Sequence, residues 1–166
     1  MHAVILAGGQ GTRLLPLTTA CPKPLVPLLN VPFLHHQIGL LREHGVRDIV
    51  LSCSDRWEMI RTALGDGAAL GVRLRYAVEP QPLGTGGGVR NAAPLGDGPV
   101  IVLNGDVLTD MDLTALCAFH AERKAGATIA LTTVENPGDY GLVETDAGGR
   151  VLRFVEKPPP GQFSAR

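Results

Sequence analysis

Aromatic side chains are scarce in this chain. They make up 4% of its 166 residues against a hydrophobic share of 45%, so the core must be aliphatic. No apolar run approaches the length that spans a bilayer, so no membrane partner is expected. Neither sign of charge dominates. The formal net charge is −1 and the arginines are scattered, which argues against nucleic acid or an acidic membrane surface as partner. The three cysteines, Cys21, Cys53 and Cys117, cannot all pair. Each is expected to be a reduced thiol, which suits a cytoplasmic protein. The chain opens on an apolar run with no charged start and no cleavage site, so no signal peptide is expected. No His-x-x-x-His zinc pair occurs. His35, His36, His44 and His120 fall in or at the ends of predicted helices and are expected to be structural. No repeat or low-complexity linker is present. The 13 prolines and 21 glycines sit between elements as turn signals. The one biased stretch, Pro158–Gly161, reads as an extended tail.

What is present is concentrated at the start. The run Ala3–Ala7 breaks into Gly8-Gly9-Gln10-Gly11-Thr12-Arg13, and Lys23 follows between two prolines. A buried strand ending in glycines lets backbone N–H groups approach an anion. Arg13 and Lys23 add full positive charges to those dipoles, so a nucleoside triphosphate is the expected ligand. Two familiar glycine motifs fail here. Position 14 is Leu14, not the third glycine or alanine of the dinucleotide fingerprint, and no Lys-Ser or Lys-Thr pair completes a P-loop.

Apolar periodicity predicts alternating elements. Strands are expected at Ala3–Ala7, Asp48–Cys53, Val72–Val78, Val100–Leu103, Thr128–Val134, Leu142–Glu144 and Val151–Val155. Helices are expected at Pro32–His44, Arg56–Leu64, Gly87–Ala93 (stopped by Pro94) and Leu113–Ala125. Alternation of this kind implies an α/β fold with a doubly wound, mainly parallel sheet. Ligands then sit beyond the carboxyl ends of the strands, where both the glycine cluster and Asp106 fall. Asp106 is the expected Mg²⁺ ligand, since magnesium is held by one or two carboxylates plus substrate phosphates. Asp110 and Asp112 are read as structural, Asp112 as the cap of the helix starting at Leu113.

Residues 6–28, LAGGQGTRLLPLTTACPKPLVPL, resemble the sugar-phosphate nucleotidyltransferases, whose opening motif is G-G-x-G-T-R-L followed by P-K-P. Further matches follow in the family's order at Leu83–Gly88, at Asn104-Gly105-Asp106 and at Phe154-Val155-Glu156-Lys157-Pro158. The resemblance covers nearly the whole chain but only the N-terminal part of a usual catalytic domain. It implies a Rossmann-like nucleotidyltransferase fold in residues 1–166, truncated at the C-terminal end. It also implies transfer of a nucleoside monophosphate from a triphosphate to a sugar 1-phosphate, with release of pyrophosphate.

Site residues follow from the same resemblance. The nucleotide would meet Leu6, Gly8, Gly9, Gly11, Thr12, Arg13, Lys23, Gly84 and Thr85. Arg13, Lys23, Asp106 and Lys157 would be catalytic, with Asp106 on Mg²⁺. Gly141, Glu156 and Lys157 would hold the sugar phosphate. Many family members carry alanines where this chain has Gly86-Gly87-Gly88, so this loop is expected to be the more mobile. Glu79 is the expected reader of the base, because a carboxylate accepts two hydrogen bonds from guanine's adjacent N–H donors. That favours GTP with mannose 1-phosphate. Gln81 would suit uracil or thymine, and a thymidylyl- or uridylyltransferase acting on glucose 1-phosphate or another sugar 1-phosphate is the alternative. The family's further strands and second metal aspartate are missing from residues 159–166. That leaves a partial gene product, a chain completed by another copy or partner, or a regulatory module that binds nucleotide sugar without catalysis. An unfinished sheet edge also predicts self-association.

Overall fold

The computed structural model describes residues 1–9, 11–93, 96–134 and 140–156. These fall into two compact units, Met1–Phe119 and His120–Arg166.

The first unit is built on four parallel strands: β1 (His2–Leu6), β4 (Asp48–Cys53), β5 (Arg73–Val78) and β6 (Val100–Asn104). Their order across the sheet is β5-β4-β1-β6. Leu6, the last residue of β1, is in register with Ser52 of β4 and Asn104 of β6. The chain moves outward from β1 through β4 to β5, then returns to lay β6 on the other side of β1. That reversal opens a crevice at the carboxyl ends of β1 and β6. A short antiparallel pair, β2 (Pro27–Leu28) and β3 (Val31–Pro32), precedes the first helix and was not foreseen.

Strand alternation divides the core in two. Ala3, Ile5, Ile49, Leu51, Cys53, Leu74 and Ile101 face one side. There they meet Leu34, Ile38 and Leu41 of α1 (Phe33–Glu43), and Ile60 and Leu64 of α2 (Trp57–Leu64). Val4 and Val50 face the other side, with Leu6, Ala77 and Val100 beside them, and meet Ala92 at the end of α3 (Gly84–Asn91). The sheet is therefore covered on both faces, and its buried side chains are aliphatic apart from Ser52 and Cys53 of β4. Helix α1 stops as the sequence predicts. Gly45 takes φ 80°, its N–H reaches the Arg42 carbonyl at 3.0 Å, and Val46 N–H reaches the Leu41 carbonyl at 2.9 Å.

Three expectations need correction. The helix expected from Gly87 begins at Gly84, so the glycine run is helical rather than a loop. Its stop at Pro94 lies outside the described residues. Thr128–Val134 forms no strand. Its alternation is real, but no described strand lies beside it to complete a ladder, and Ile129 and Leu131 are each 51% exposed. The last helix, α4, ends at Arg123 rather than at Ala125. Asp112 caps α4 as expected, its Oδ1 accepting the Ala115 N–H at 2.9 Å.

The second unit holds an antiparallel hairpin, β7 (Gly141–Thr145) and β8 (Val151–Glu156). Its turn is tied by Asp146, whose Oδ1 accepts the N–H groups of Gly148 and Arg150, each at 2.9 Å. Among the described residues no helix is long and apolar enough to cross a membrane. Cys21, Cys53 and Cys117 are all free thiols.

Candidate functional site

A cleft of about 400 Å³ opens at the carboxyl ends of the four parallel strands. Leu6, Gly8 and Gly9 enter it from β1, and Ser54 and Asp55 from β4. The segment after β5 supplies Glu79, Pro82, Gly84 and Thr85. Asn104 ends β6, Gly105 and Asp106 follow it, and Lys23 with Pro24 also lines the cleft. The volume suits a small-molecule ligand.

Close backbone approach shapes the wall formed by β1 and β6. Gly105 N–H donates to the Leu6 carbonyl at 2.9 Å, and a Cβ on Gly105 would stand 2.5 Å from that oxygen. No side chain fits there. Gly11 adopts φ 62°, and a Cβ on it would meet Lys23 and Thr18 at 3.0 Å each. Thr18 is buried, and its hydroxyl donates to the Gly11 carbonyl at 3.0 Å. The Arg56 guanidinium, from a residue at φ 61°, donates to the Thr18 carbonyl at 2.8 Å. The glycine loop is thus clamped from behind by two residues that sequence reasoning did not single out. Neither carries a motif signal, because the contact exists only once the chain closes on itself.

Lys23 forms an ion pair with Asp106, two residues 83 positions apart in the chain. Both side chains are partly exposed, Lys23 24% and Asp106 43%. The Asp106 turn is held from below by Gln37 of α1. That side chain is 3% exposed, and its amide donates to the carbonyls of Asn104 and Val107, each at 2.8 Å. The two bonds bracket Asp106. Among the described residues no group of three or more His, Cys, Asp or Glu side chains is arranged to hold a metal ion. Asp106 is a carboxylate of the cleft that could hold Mg²⁺, with phosphates and water completing its shell, as magnesium is usually carried.

The neighbouring wall, after β4 and β5, centres on Glu79, and a Cβ on Gly8 would stand 3.8 Å from Glu79 Oε1. Ser52 Oγ donates to Glu79 Oε1 at 2.9 Å, and Leu83 N–H donates to Oε2 at 3.1 Å. Gly88 of α3 lies against this pair. A Cβ there would meet Glu79 Oε1 at 2.9 Å, with Leu6 Cδ2 and Ser52 Oγ at 3.1 Å. Behind the wall, burial and the charge of Glu79 push the Cys53 thiol up to about 12, so it is inert near neutral pH.

Of the residues predicted from sequence, Leu6, Gly8, Gly9, Lys23, Glu79, Gly84, Thr85 and Asp106 line one cleft. Gly11 stands behind the loop. Thr12 lines an adjacent hollow of about 340 Å³, which Thr18 and Arg56 also line. Arg13 is exposed on the turn Thr12–Leu14 and is not part of the cleft wall. Gly141 and Glu156 are register partners in the hairpin of the second unit. A Cβ on Gly141 would stand 2.6 Å from the Phe154 ring and 3.2 Å from Glu156 Oε2. Lys157 lies outside the described residues. The histidines stay with the scaffold: His44 Nδ1 meets Thr114 Oγ1 at 2.9 Å and His120 Nδ1 meets Thr128 Oγ1 at 2.9 Å.

Comparison with known proteins matches residues 2–164 to the family model described as nucleotidyl transferase. A mannose-1-phosphate guanylyltransferase from Mycobacterium tuberculosis is 42% identical over 169 residues, which cover 99% of this chain and 47% of that protein. A UTP–glucose-1-phosphate uridylyltransferase from Synechocystis is 39% identical over 172 residues, covering 95% of this chain and 44% of that protein. Among solved structures, one described as a glucose-1-phosphate thymidylyltransferase from Bacillus anthracis superposes with a TM-score of 0.87 at 26% identity, covering 95% of this chain and 65% of that one. HddC from Yersinia pseudotuberculosis, complexed with GMP-PN, superposes with a TM-score of 0.74 at 30% identity, covering 94% and 69%. The chain spans about half the length of the curated relatives it matches.

Proposed function

The chain belongs to the nucleotidyl transferase family, and from that premise we propose that it supplies the nucleotide-binding part of a mannose-1-phosphate guanylyltransferase. The observation that carries the reading is the 42% identity to such an enzyme over 99% of this chain. A carboxylate at Glu79, which lines the same cleft as the glycine loop, supports the choice of guanine.

The mechanism is one of positioning. An oxygen of the sugar 1-phosphate attacks the α-phosphorus of GTP in line. The bond to the β-phosphate oxygen breaks, pyrophosphate leaves, and GDP-mannose forms. The attacking oxygen is already ionised near neutral pH, so no side chain need take a proton. Gly8 and Gly9 present backbone to the phosphates, Gly11 sets the turn of the loop behind them, and Lys23 holds the triphosphate. Asp106 is the carboxylate that would hold Mg²⁺, which when bound neutralises charge developing on the phosphates. Arg13, on its exposed turn, is assigned to the transferring and leaving phosphates once nucleotide is bound. Gly141, Glu156 and Lys157 are assigned to the sugar phosphate. Free thiols at all three cysteines support a cytoplasmic setting.

A panel of GTP, UTP and dTTP against mannose and glucose 1-phosphates, assayed for pyrophosphate with Mg²⁺ in the full-length protein, tests this. GTP with mannose 1-phosphate is expected to be the best pair. Turnover of UTP or dTTP with glucose 1-phosphate, and none of GTP, defeats the guanine assignment. No turnover of any pair defeats the enzymatic reading.

A further inference from the structure

Ser52 is a polar residue at the end of a strand that is otherwise apolar where it is buried. It is 0% exposed, so it cannot touch a ligand in the cleft. Its hydroxyl has one proton and two acceptors within reach: Glu79 Oε1 at 2.9 Å and the Gly88 carbonyl at 3.2 Å. The ionised carboxylate is the stronger acceptor and the closer one, so the proton goes to Glu79. Leu83 N–H fixes the other oxygen at 3.1 Å. The carboxylate is therefore held at both oxygens, each of which keeps a further lone pair for a ligand.

The surroundings leave it little freedom. Gly88 closes over the pair so tightly that even a methyl group there would strike both Glu79 and Ser52. Glu79 itself lines the cleft. A long side chain at a cleft wall ordinarily samples several rotamers, and holding one in place lowers the ordering cost of recognising a planar donor edge.

We propose that Ser52 is a positioning residue for base selection: it orients the Glu79 carboxylate toward the base, and so sets the preference among nucleoside triphosphates without contacting them. The proposal rests on the reading that the cleft binds a triphosphate with its base against Glu79. A carboxylate aimed at guanine takes one hydrogen bond from the ring N–H and one from the exocyclic amine. Inosine triphosphate lacks the amine, so the ratio of GTP to ITP use reports the aim of the carboxylate.

The test compares kcat/KM for GTP, ITP, UTP and dTTP in the full-length enzyme and in Ser52→Ala, Glu79→Ala and the double variant. In Ser52→Ala the GTP-over-ITP preference is expected to fall roughly fivefold, the weight of one hydrogen bond. The change should sit mainly in KM for the nucleotide, with KM for the sugar 1-phosphate unmoved. In the Glu79→Ala background, Ser52→Ala should change the preference less than about twofold, because the two act as one unit. The unmodified enzyme's own ranking tests the guanine assignment separately. If it prefers UTP or dTTP, that assignment fails, and a shift in the kcat/KM ratios on Ser52→Ala still supports positioning. Unchanged kcat/KM ratios among the triphosphates in Ser52→Ala, whether or not all fall together, overturn the proposal whichever base is preferred. Equal and additive losses in both backgrounds overturn it too, since they would mark a contribution to stability alone.

Discussion

The two walls of the cleft solve different problems with the same few residue types. The wall formed by β1 and β6 is organised by full charge. Lys23 and Asp106 face each other across it, and the loops carrying them are fixed by backbone contacts at Gly105 and by the Gln37 amide. On the wall after β4 and β5, the Glu79 carboxylate is held by a hydroxyl and a backbone N–H. A charged wall suits phosphates, whose recognition depends on charge and distance. A wall of aimed hydrogen bonds suits a base, whose identity lies in a pattern of donors and acceptors. The glycines differ in the same way. Gly11 is required by its left-handed backbone, whereas Gly88 is required by what lies against it.

Asp106→Asn should break the comparison most severely. On the phosphate wall it should cut turnover roughly a hundredfold or more, because charge on the transferring phosphates is then poorly neutralised. GTP affinity should stay within about tenfold, since most binding contacts remain. Steady-state kinetics beside calorimetric titration separates the two. Equal losses in both would place Asp106 in ground-state binding instead.

Removing support beneath the same wall should act through stability. Gln37→Leu leaves the Asn104 and Val107 carbonyls without their side-chain donor, at a cost of about 1–3 kcal/mol. The urea midpoint should fall, and turnover should fall with it because the Asp106 turn loses its bracket. A loss of stability with unchanged turnover would detach Gln37 from the site.

Two glycines on the neighbouring wall sharpen the contrast. Gly88→Ala forces a methyl group against Glu79, Leu6 and Ser52, and should destabilise by about 1–3 kcal/mol. Gly86→Ala meets nothing within 4 Å and lies inside α3, so it should stabilise by about 0.5–1 kcal/mol. Thermal melts of the two variants should move in opposite directions.

A further effect is confined to alkaline pH. Burial raises Cys53 from its ordinary 9.0 and Tyr76 from its ordinary 10.0, each to about 12. Both groups stay protonated in the folded chain while the unfolded chain ionises. Their contribution is complete below pH 9 and is lost as pH rises toward 12. The urea midpoint should therefore decline across pH 9–12, and less so in Cys53→Ala.

Much of this arrangement was legible in the sequence because it rests on local signals. The β1 run, the glycines after it and the Asn104-Gly105-Asp106 end of β6 announce themselves, and the parallel order followed from alternation. Tertiary closure was not legible. Nothing adjacent to Ser52, Gln37, Thr18 or Arg56 marks them, since their partners lie 27, 67, 7 and 38 positions away. The helix start at Gly84 was missed because glycine is a poor helix former, and packing against β1 and β4 overrode that preference. Thr128–Val134 was read as a strand because alternation reports a pattern, whereas a strand also needs a neighbour.

The central claim is that one wall holds phosphate and the other holds the base. A crystal structure of the full-length protein with GTP and Mg²⁺ tests it most directly. The account predicts a metal ion about 2.1 Å from an Asp106 carboxylate oxygen, with Lys23 moved from Asp106 onto a phosphate and the guanine edge on Glu79. A triphosphate lying along the Glu79 wall, or Lys23 still paired with Asp106 and no metal between Asp106 and the phosphates, would contradict it.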